Sequence, residues 1–249
     1  MPARLSAGLL AGLALLATLP AYADWSGRSE VGFVMARGNS ETETANAKLE
    51  LVRSLDNWKH TFGLAGLYGH SNDVKTAERW DTRWQTDHRF SDSMFWFGSV
   101  RYIEDRYSGF EYQASVAAGA GRTFVDSEDT KLSAQIGAGY RRLRSETLVK
   151  DERGAVIERI PGEKEGDLVA NGVVKFEHAF NDATKVLNSL QVESGRSNTL
   201  TENSLALQVK MNSVLALSLG LTVRNNSNPP PPLEQTDTLT TVNLVYEMK

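Results

Sequence analysis

Between positions 79 and 90 the sequence RWDTRWQTDHRF places a charged or polar side chain at every second residue: Arg79, Asp81, Arg83, Gln85, Asp87 and Arg89. A two-residue spacing is the period of a β-strand, so all six share one face. Such a row can do two kinds of chemistry. It can pair opposite charges with those of neighbouring strands, or it can face water inside a channel and sort ions by sign. The intervening residues, Trp80, Thr82, Trp84, Thr86, His88 and Phe90, make a face that is aromatic at both ends.

Other chemistry-bearing residues are few. His60, His88 and His178 fall on outward faces beside Trp58, Phe90 and Phe180. A lipid-facing hydrolase built on them would need a serine and an orienting polar group converging at the rim. Ser91 and Ser93 follow His88, but tight turns favour serine for geometric reasons. Amphipathic rings at a membrane interface are the plainer reading, and the hydrolase is the lesser alternative. His70 sits beside Asn72 and Asp73, and one histidine does not make a metal site. Gly119, Gly121, Gly137 and Gly139 precede no helix, so they cradle no phosphate and instead leave inward room for larger neighbours. No catalytic, cofactor-binding or metal-ligating residue is assigned, and the chain is read as a non-enzyme.

The same alternation recurs along the chain, and no helix-period segment exists to cover the apolar faces. The remaining solution is an all-β fold, an antiparallel transmembrane β-barrel with lipid outside and polar groups inside. About twelve strands can be read, with short periplasmic turns alternating with longer outer loops. Strand eleven is nearly ideal, with Leu215, Leu217, Leu219, Leu221 and Val223 outward and Ala216, Ser218, Gly220, Thr222 and Arg224 inward. Strand five is assigned with Trp96, Val100 and Tyr102 outward. The longest connection, 144–165, is charged and holds Pro161, and a short hairpin inside it would raise the count to fourteen. Trp25, Trp58, Phe90, Trp96, Phe180 and Tyr246 fall at the turn ends of strands, and Tyr68, Trp80, Tyr102, Tyr112 and Tyr140 near the loop ends. These are the two interfacial girdles of a bilayer-spanning barrel.

The inward faces carry both signs: Glu30, Glu50, Asp81, Asp87, Glu177 and Glu193 against Lys48, Arg79, Arg83, Arg89, Arg101, Arg141, Lys175, Lys210 and Arg224. Round an open lumen these charges would tune selectivity, with the basic excess favouring anions. Paired with one another they would close the barrel. Two functions follow, a narrow pore with a charged lumen or a non-conducting structural barrel with a salt-bridged one.

The N-terminus supplies a place. Arg4, an apolar run over 5–19 and the small-x-small site Ala21-Tyr22-Ala23 before Asp24 read as a secretory signal peptide, residues 1–23, leaving a mature barrel over 24–249. Cleavage between Ala23 and Asp24 removes one charge, Arg4. The formal net charge of −4 argues against a nucleic-acid partner. The absence of cysteine excludes disulfides, thiolate metal sites and a cysteine nucleophile. An exported chain whose strands cross a bilayer belongs in the outer membrane of a Gram-negative cell, in contact with membrane lipids and lipopolysaccharide, with its C-terminal strand presented to the barrel-assembly machinery.

The segment YIEDRYSGFEYQ over 102–113, followed by ASVAAGAG, resembles the signature of the YdiY-like family, a domain of unknown function often labelled salt-induced outer-membrane protein. The opening WSGRSEVGFVMARGNSET and the later VESGRSNT and NNSNPPP are similar to that family too, so the resemblance covers the mature chain. It implies an outer-membrane barrel related to salt or osmotic stress, and brings no biochemical activity. Within the signature, the loop Asp105, Arg106, Tyr107, Ser108 and Gly109 is the stretch picked out as a lumen-folded constriction or a surface contact. The last residues, Tyr246-Glu247-Met248-Lys249, depart from the usual terminal aromatic.

Overall fold

The computed structural model describes residues 25–36, 42–72, 74–230 and 233–248. The expected leader with its cleavage site at Ala23 and Asp24 lies outside them, as do the loop 37–40, Asp73, Pro231, Pro232 and Lys249. Twelve strands follow one another: β1 (Trp25–Ala36), β2 (Thr42–Leu55), β3 (Trp58–Ser71), β4 (Val74–Arg89), β5 (Met94–Asp105), β6 (Phe110–Asp126), β7 (Thr130–Lys150), β8 (Val156–Ala179), β9 (Thr184–Ser194), β10 (Thr199–Lys210), β11 (Leu215–Asn226) and β12 (Thr236–Met248). Each pairs antiparallel with its sequence neighbours. β12 returns to β1, and the sheet closes into a barrel.

Burial is inverted relative to a soluble protein. On β11 Leu217 and Leu219 point outward and are about half exposed, while Ala216 and Ser218 point inward and are buried. Charged and amide side chains fill the interior, among them Glu30, Arg141, Gln208 and Asn243. This is the order that a surrounding hydrocarbon phase selects. The aromatic residues sit where such a phase would end. Trp58 packs on His88 at 4.5 Å, Phe90 on Trp96 at 5.2 Å and His178 on Phe180 at 5.0 Å at the turn end, and Tyr102 on Tyr112 at 6.2 Å at the loop end. From Trp80 to Phe90 the strand rises roughly 34 Å along its own axis, or roughly 26 Å along a barrel axis tilted by about 40°, which matches the apolar band of an outer-membrane barrel.

β3 and β4 run on until Ser71 pairs with Val74, and β6 continues to Asp126. The pairing corrects the sequence reading of the longest connection. The charged connection 144–165 is mostly strand: β7 and β8 stay paired from Arg144↔Lys164 to Lys150↔Val156 and turn at 151–155. This is a hairpin, but it prolongs β7 and β8 rather than adding strands, so the count is twelve. Pro161 is accommodated opposite Glu146, at a register shift where the ladder is already interrupted.

The interior is not a uniform tube. In a round twelve-stranded barrel opposite walls stand about 24 Å apart. An arginine and a glutamate reaching towards each other span about 15 Å with the gap between them, from ordinary bond lengths. Arg79 on β4 nevertheless meets Glu202 on β10 at 3.6 Å. The section is therefore oval, with its short axis between β4–β5 and β10–β11. Beside it, Phe95 lies over Gly121, and Phe97 over Gly137, where an added Cβ would stand 2.8 Å from the ring. The small residues of β6 and β7 are the bed for two inward aromatic rings.

Candidate functional site: the charged interior

Six charges meet across the short axis in the loop-end half of the barrel. Arg79 reaches Asp81 at 2.9 Å, Asp105 at 3.5 Å and Glu202 at 3.6 Å. Arg101 binds Asp81 at 2.5 Å and Glu202 at 3.3 Å. Arg224 binds Glu202 at 2.9 Å and Asp105 at 3.8 Å. Three guanidinium groups thus alternate with three carboxylates, and the formal charge is zero. The strands explain the geometry. β4 and β5 bring Arg79, Asp81, Arg101 and Asp105 from one wall, and β10 and β11 bring Glu202 and Arg224 from the other. The contacts from Arg79 and Arg101 to Glu202 cross the bore and obstruct it.

Further closure surrounds this cluster. Arg141 on β7 is fully buried, pairs with Glu193 on β9 at 3.3 Å and donates to the Asn198 carbonyl at 2.6 Å. Ile103, Phe110, Leu143, Val169 and Leu200 are buried nearby, apolar side chains that no open aqueous lumen would hold. Above them, Pro230 and Leu233, between β11 and β12, reach across the mouth to Gly109 between β5 and β6. A Cβ on Gly109 would strike Leu233 and Pro230, and its φ of +76° is one that L side chains rarely adopt, so glycine is required there twice over.

The turn-end half is different. It encloses a chamber of about 630 Å³ that runs from Ser26, Lys59, Lys131 and Glu247 at the turn end to Asp81, Arg101 and Glu202 at its closed end. Within it Arg83 pairs with Glu50 at 2.6 Å, Arg28 with Glu30 at 3.4 Å, and Lys185 bridges Glu177 at 3.3 Å and Glu247 at 3.5 Å.

The residues picked out from sequence divide between these regions. Arg79, Asp81, Arg101 and Arg224 form the cluster, and Arg141 with Glu193 form the buried pair. Glu30, Lys48, Glu50, Arg83, Lys175 and Glu177 line the chamber. Lys48 stands 4.0 Å from Glu30, and Asp87 accepts from Gln85 at 2.7 Å. Arg89 and Lys210 are exposed at the turn end and join no group. The loop signature is split. Asp105 is the last residue of β5 and belongs to the cluster, while its backbone and carboxylate also accept from Ser108 and from the Tyr107 N–H. Arg106 pairs with Glu104 and Glu78 at the exposed rim, and its carbonyl accepts from Arg159. Sequence reasoning missed Glu202, although it lies on the Gln208 and Lys210 face of β10. It also missed Arg28, two residues from Glu30. Strand parity alone would have found both.

The histidines remain on the outer wall. His60 Nδ1 lies 3.0 Å from Thr86 Oγ1 and His178 Nδ1 lies 2.8 Å from Thr130 Oγ1. His88 packs against Trp58 with its ring tilted by 57°. None of the three has a serine or a carboxylate partner among the described contacts.

Comparison with known proteins places the chain among relatives. The model of the family described as "Protein of unknown function, DUF481" matches residues 29–248. The chain belongs to that family. The uncharacterized protein YdiY of Escherichia coli (strain K12) is 23% identical over 230 residues, covering 90% of this chain and 83% of YdiY. Among solved structures, an outer membrane channel from Pseudomonas putida F1 superposes with a TM-score of 0.51 at 8% identity, over 90% of this chain and 95% of the channel. The NanC porin gives a TM-score of 0.49 at 10% identity, over 90% and 99%. The likeness to the Pseudomonas protein is one of fold, that of an outer-membrane β-barrel.

Proposed function

We propose that this member of the family is an integral outer-membrane barrel of a Gram-negative envelope whose bore is closed at rest, a non-conducting barrel that supports the membrane under salt or osmotic stress. One observation carries the closure: Arg101 and Arg79 on one wall reach Glu202 on the other, in a cluster of balanced charge. The girdles and the inverted burial support the bilayer setting, with the short turns towards the periplasm and the longer loops outward. Lipids and lipopolysaccharide then contact the apolar wall, and β12 is the strand presented to the assembly machinery.

Single-channel recording in a planar bilayer tests this. The refolded wild-type protein is expected to give no discrete current steps. The charge-balanced variant Arg101→Ala/Asp105→Ala/Glu202→Ala/Arg224→Ala removes every cluster contact that crosses the bore, leaves Arg79 paired with Asp81, and is expected to open steps. Wild-type steps would reject the closed bore and return the function to a narrow pore. The chamber that reaches the turn end favours a second reading, a pore gated at the cluster. It predicts that wild-type steps emerge only under a strong applied voltage.

A further inference from the structure

The turn-end chamber treats its two signs unequally. The carboxylates that line it, Glu30, Glu50, Asp81, Glu177, Glu202 and Glu247, are all engaged in ion pairs. Three lysines that line it, Lys59, Lys131 and Lys175, are in none among the described residues. The pairing that neutralises the loop-end half therefore leaves positive charge facing the water of this half. Lys175 is the best placed of the three. It stands in register between Ser133 on β7 and Ser189 on β9, and all three line the chamber. Neighbouring strands are about 4.8 Å apart, so an ammonium flanked by two hydroxyls offers donors over roughly 10 Å of wall. The charged groups facing Lys175 are Arg83 and Lys59, of its own sign, and Glu50 and Asp87. Glu50 is held by Arg83 and Asp87 accepts from Gln85, so neither pairs with Lys175.

We propose that the chamber is a binding site for a small oxyanion of two or more charges. Ser133, Lys175 and Ser189 form its seat, and Lys59 and Lys131 lie at the mouth where an anion arrives. Phosphates and carboxylates share this chemistry, and a volume of about 630 Å³ admits molecules the size of tripolyphosphate or citrate. The site does not depend on the closed bore, since a conducting barrel would keep the same seat.

The test is titration calorimetry on the refolded full chain in neutral detergent at low salt, with tripolyphosphate, citrate and, as a cationic control, spermine. Saturable binding of tripolyphosphate or citrate and none of spermine is expected, and the stronger of the two anions assigns the class. Lys175→Gln should weaken binding about tenfold, the loss of one charge-assisted contact. Lys59→Gln with Lys131→Gln should weaken it several-fold, and Lys150→Gln, on the far hairpin, should leave it unchanged. Retained folding of each variant is read from its heat-modifiable migration on gels. The proposal is overturned if folded wild type binds neither anion, if spermine binds as well, or if the chamber variants bind like wild type.

Discussion

Arg141 shows what a charge costs inside this barrel. Its guanidinium is about 1% exposed, and Glu193 with the Asn198 carbonyl are its partners. Neutralising the carboxylate strands a buried cation, so Glu193→Gln is expected to destabilise the barrel by about 3 kcal/mol in urea titrations. Lys75 and Glu78 form a pair of shorter distance, 2.9 Å, but stand in solvent beyond the girdle. Lys75→Ala should therefore change stability by less than about 1 kcal/mol, because exposed pairs contribute little. Equal losses from the two variants would contradict this view of the interior. The inward placement of Arg141 and Glu193 was legible from strand parity, whereas Lys75 and Glu78, three residues apart, share a face only because the ladder shifts register between Gly69 and His70. What alternation could not give was which inward charges meet. Glu202 and Arg101 are brought together only by the oval section, which depends on how two walls far apart in sequence approach each other.

The strands were legible where both faces had a job. β11 and β12 alternate cleanly because lipid requires one face apolar and the packed interior the other. The distal parts of β7 and β8 failed for the complementary reason. Beyond the girdle neither face needs to be apolar, so the pattern vanishes while the hydrogen-bonded ladder continues. The same physics predicts that this extension is dispensable for the barrel. Replacing residues 149–158 by Asn-Gly closes the turn on Leu148 and Arg159, which already pair in register, so it keeps Glu146 paired with Arg159, which meet at 2.7 Å, and keeps Arg159 on the Arg106 carbonyl. The shortened protein should refold with a stability within about 1 kcal/mol of wild type, as surface changes usually do. Gly109→Ala, in contrast, touches a single atom position but forces a residue with a Cβ into a left-handed conformation against Leu233. It should cost about 1–3 kcal/mol and loosen the loop between β11 and β12, seen as faster proteolysis there. A hairpin deletion more damaging than Gly109→Ala would mean that the extension, rather than the crossing loop, secures the mouth.

The two ends of the molecule differ in length, charge pairing and closure, so its orientation in a membrane decides which compartment meets the open chamber. In the orientation proposed above, with the turn end towards the periplasm, the chamber opens to the periplasmic side and the sealed cluster faces outward. The chain contains no cysteine, which makes single introduced cysteines clean reporters. Glu152→Cys stands exposed in the 151–155 turn of the long hairpin, and Asp182→Cys stands exposed in the short turn between β8 and β9. A membrane-impermeant maleimide should label the first on intact cells, and the second only after the outer membrane is made permeable. The reverse pattern would put the chamber on the cell surface and make any anion it holds an extracellular one. Labelling of neither until the envelope is breached would remove the barrel from the outer membrane altogether. The expected pattern ties closure to location: a bore sealed outward and hollow inward exposes Lys59, Lys131 and Lys175 to periplasmic solutes, while the charges buried beneath the outer mouth are paired with one another.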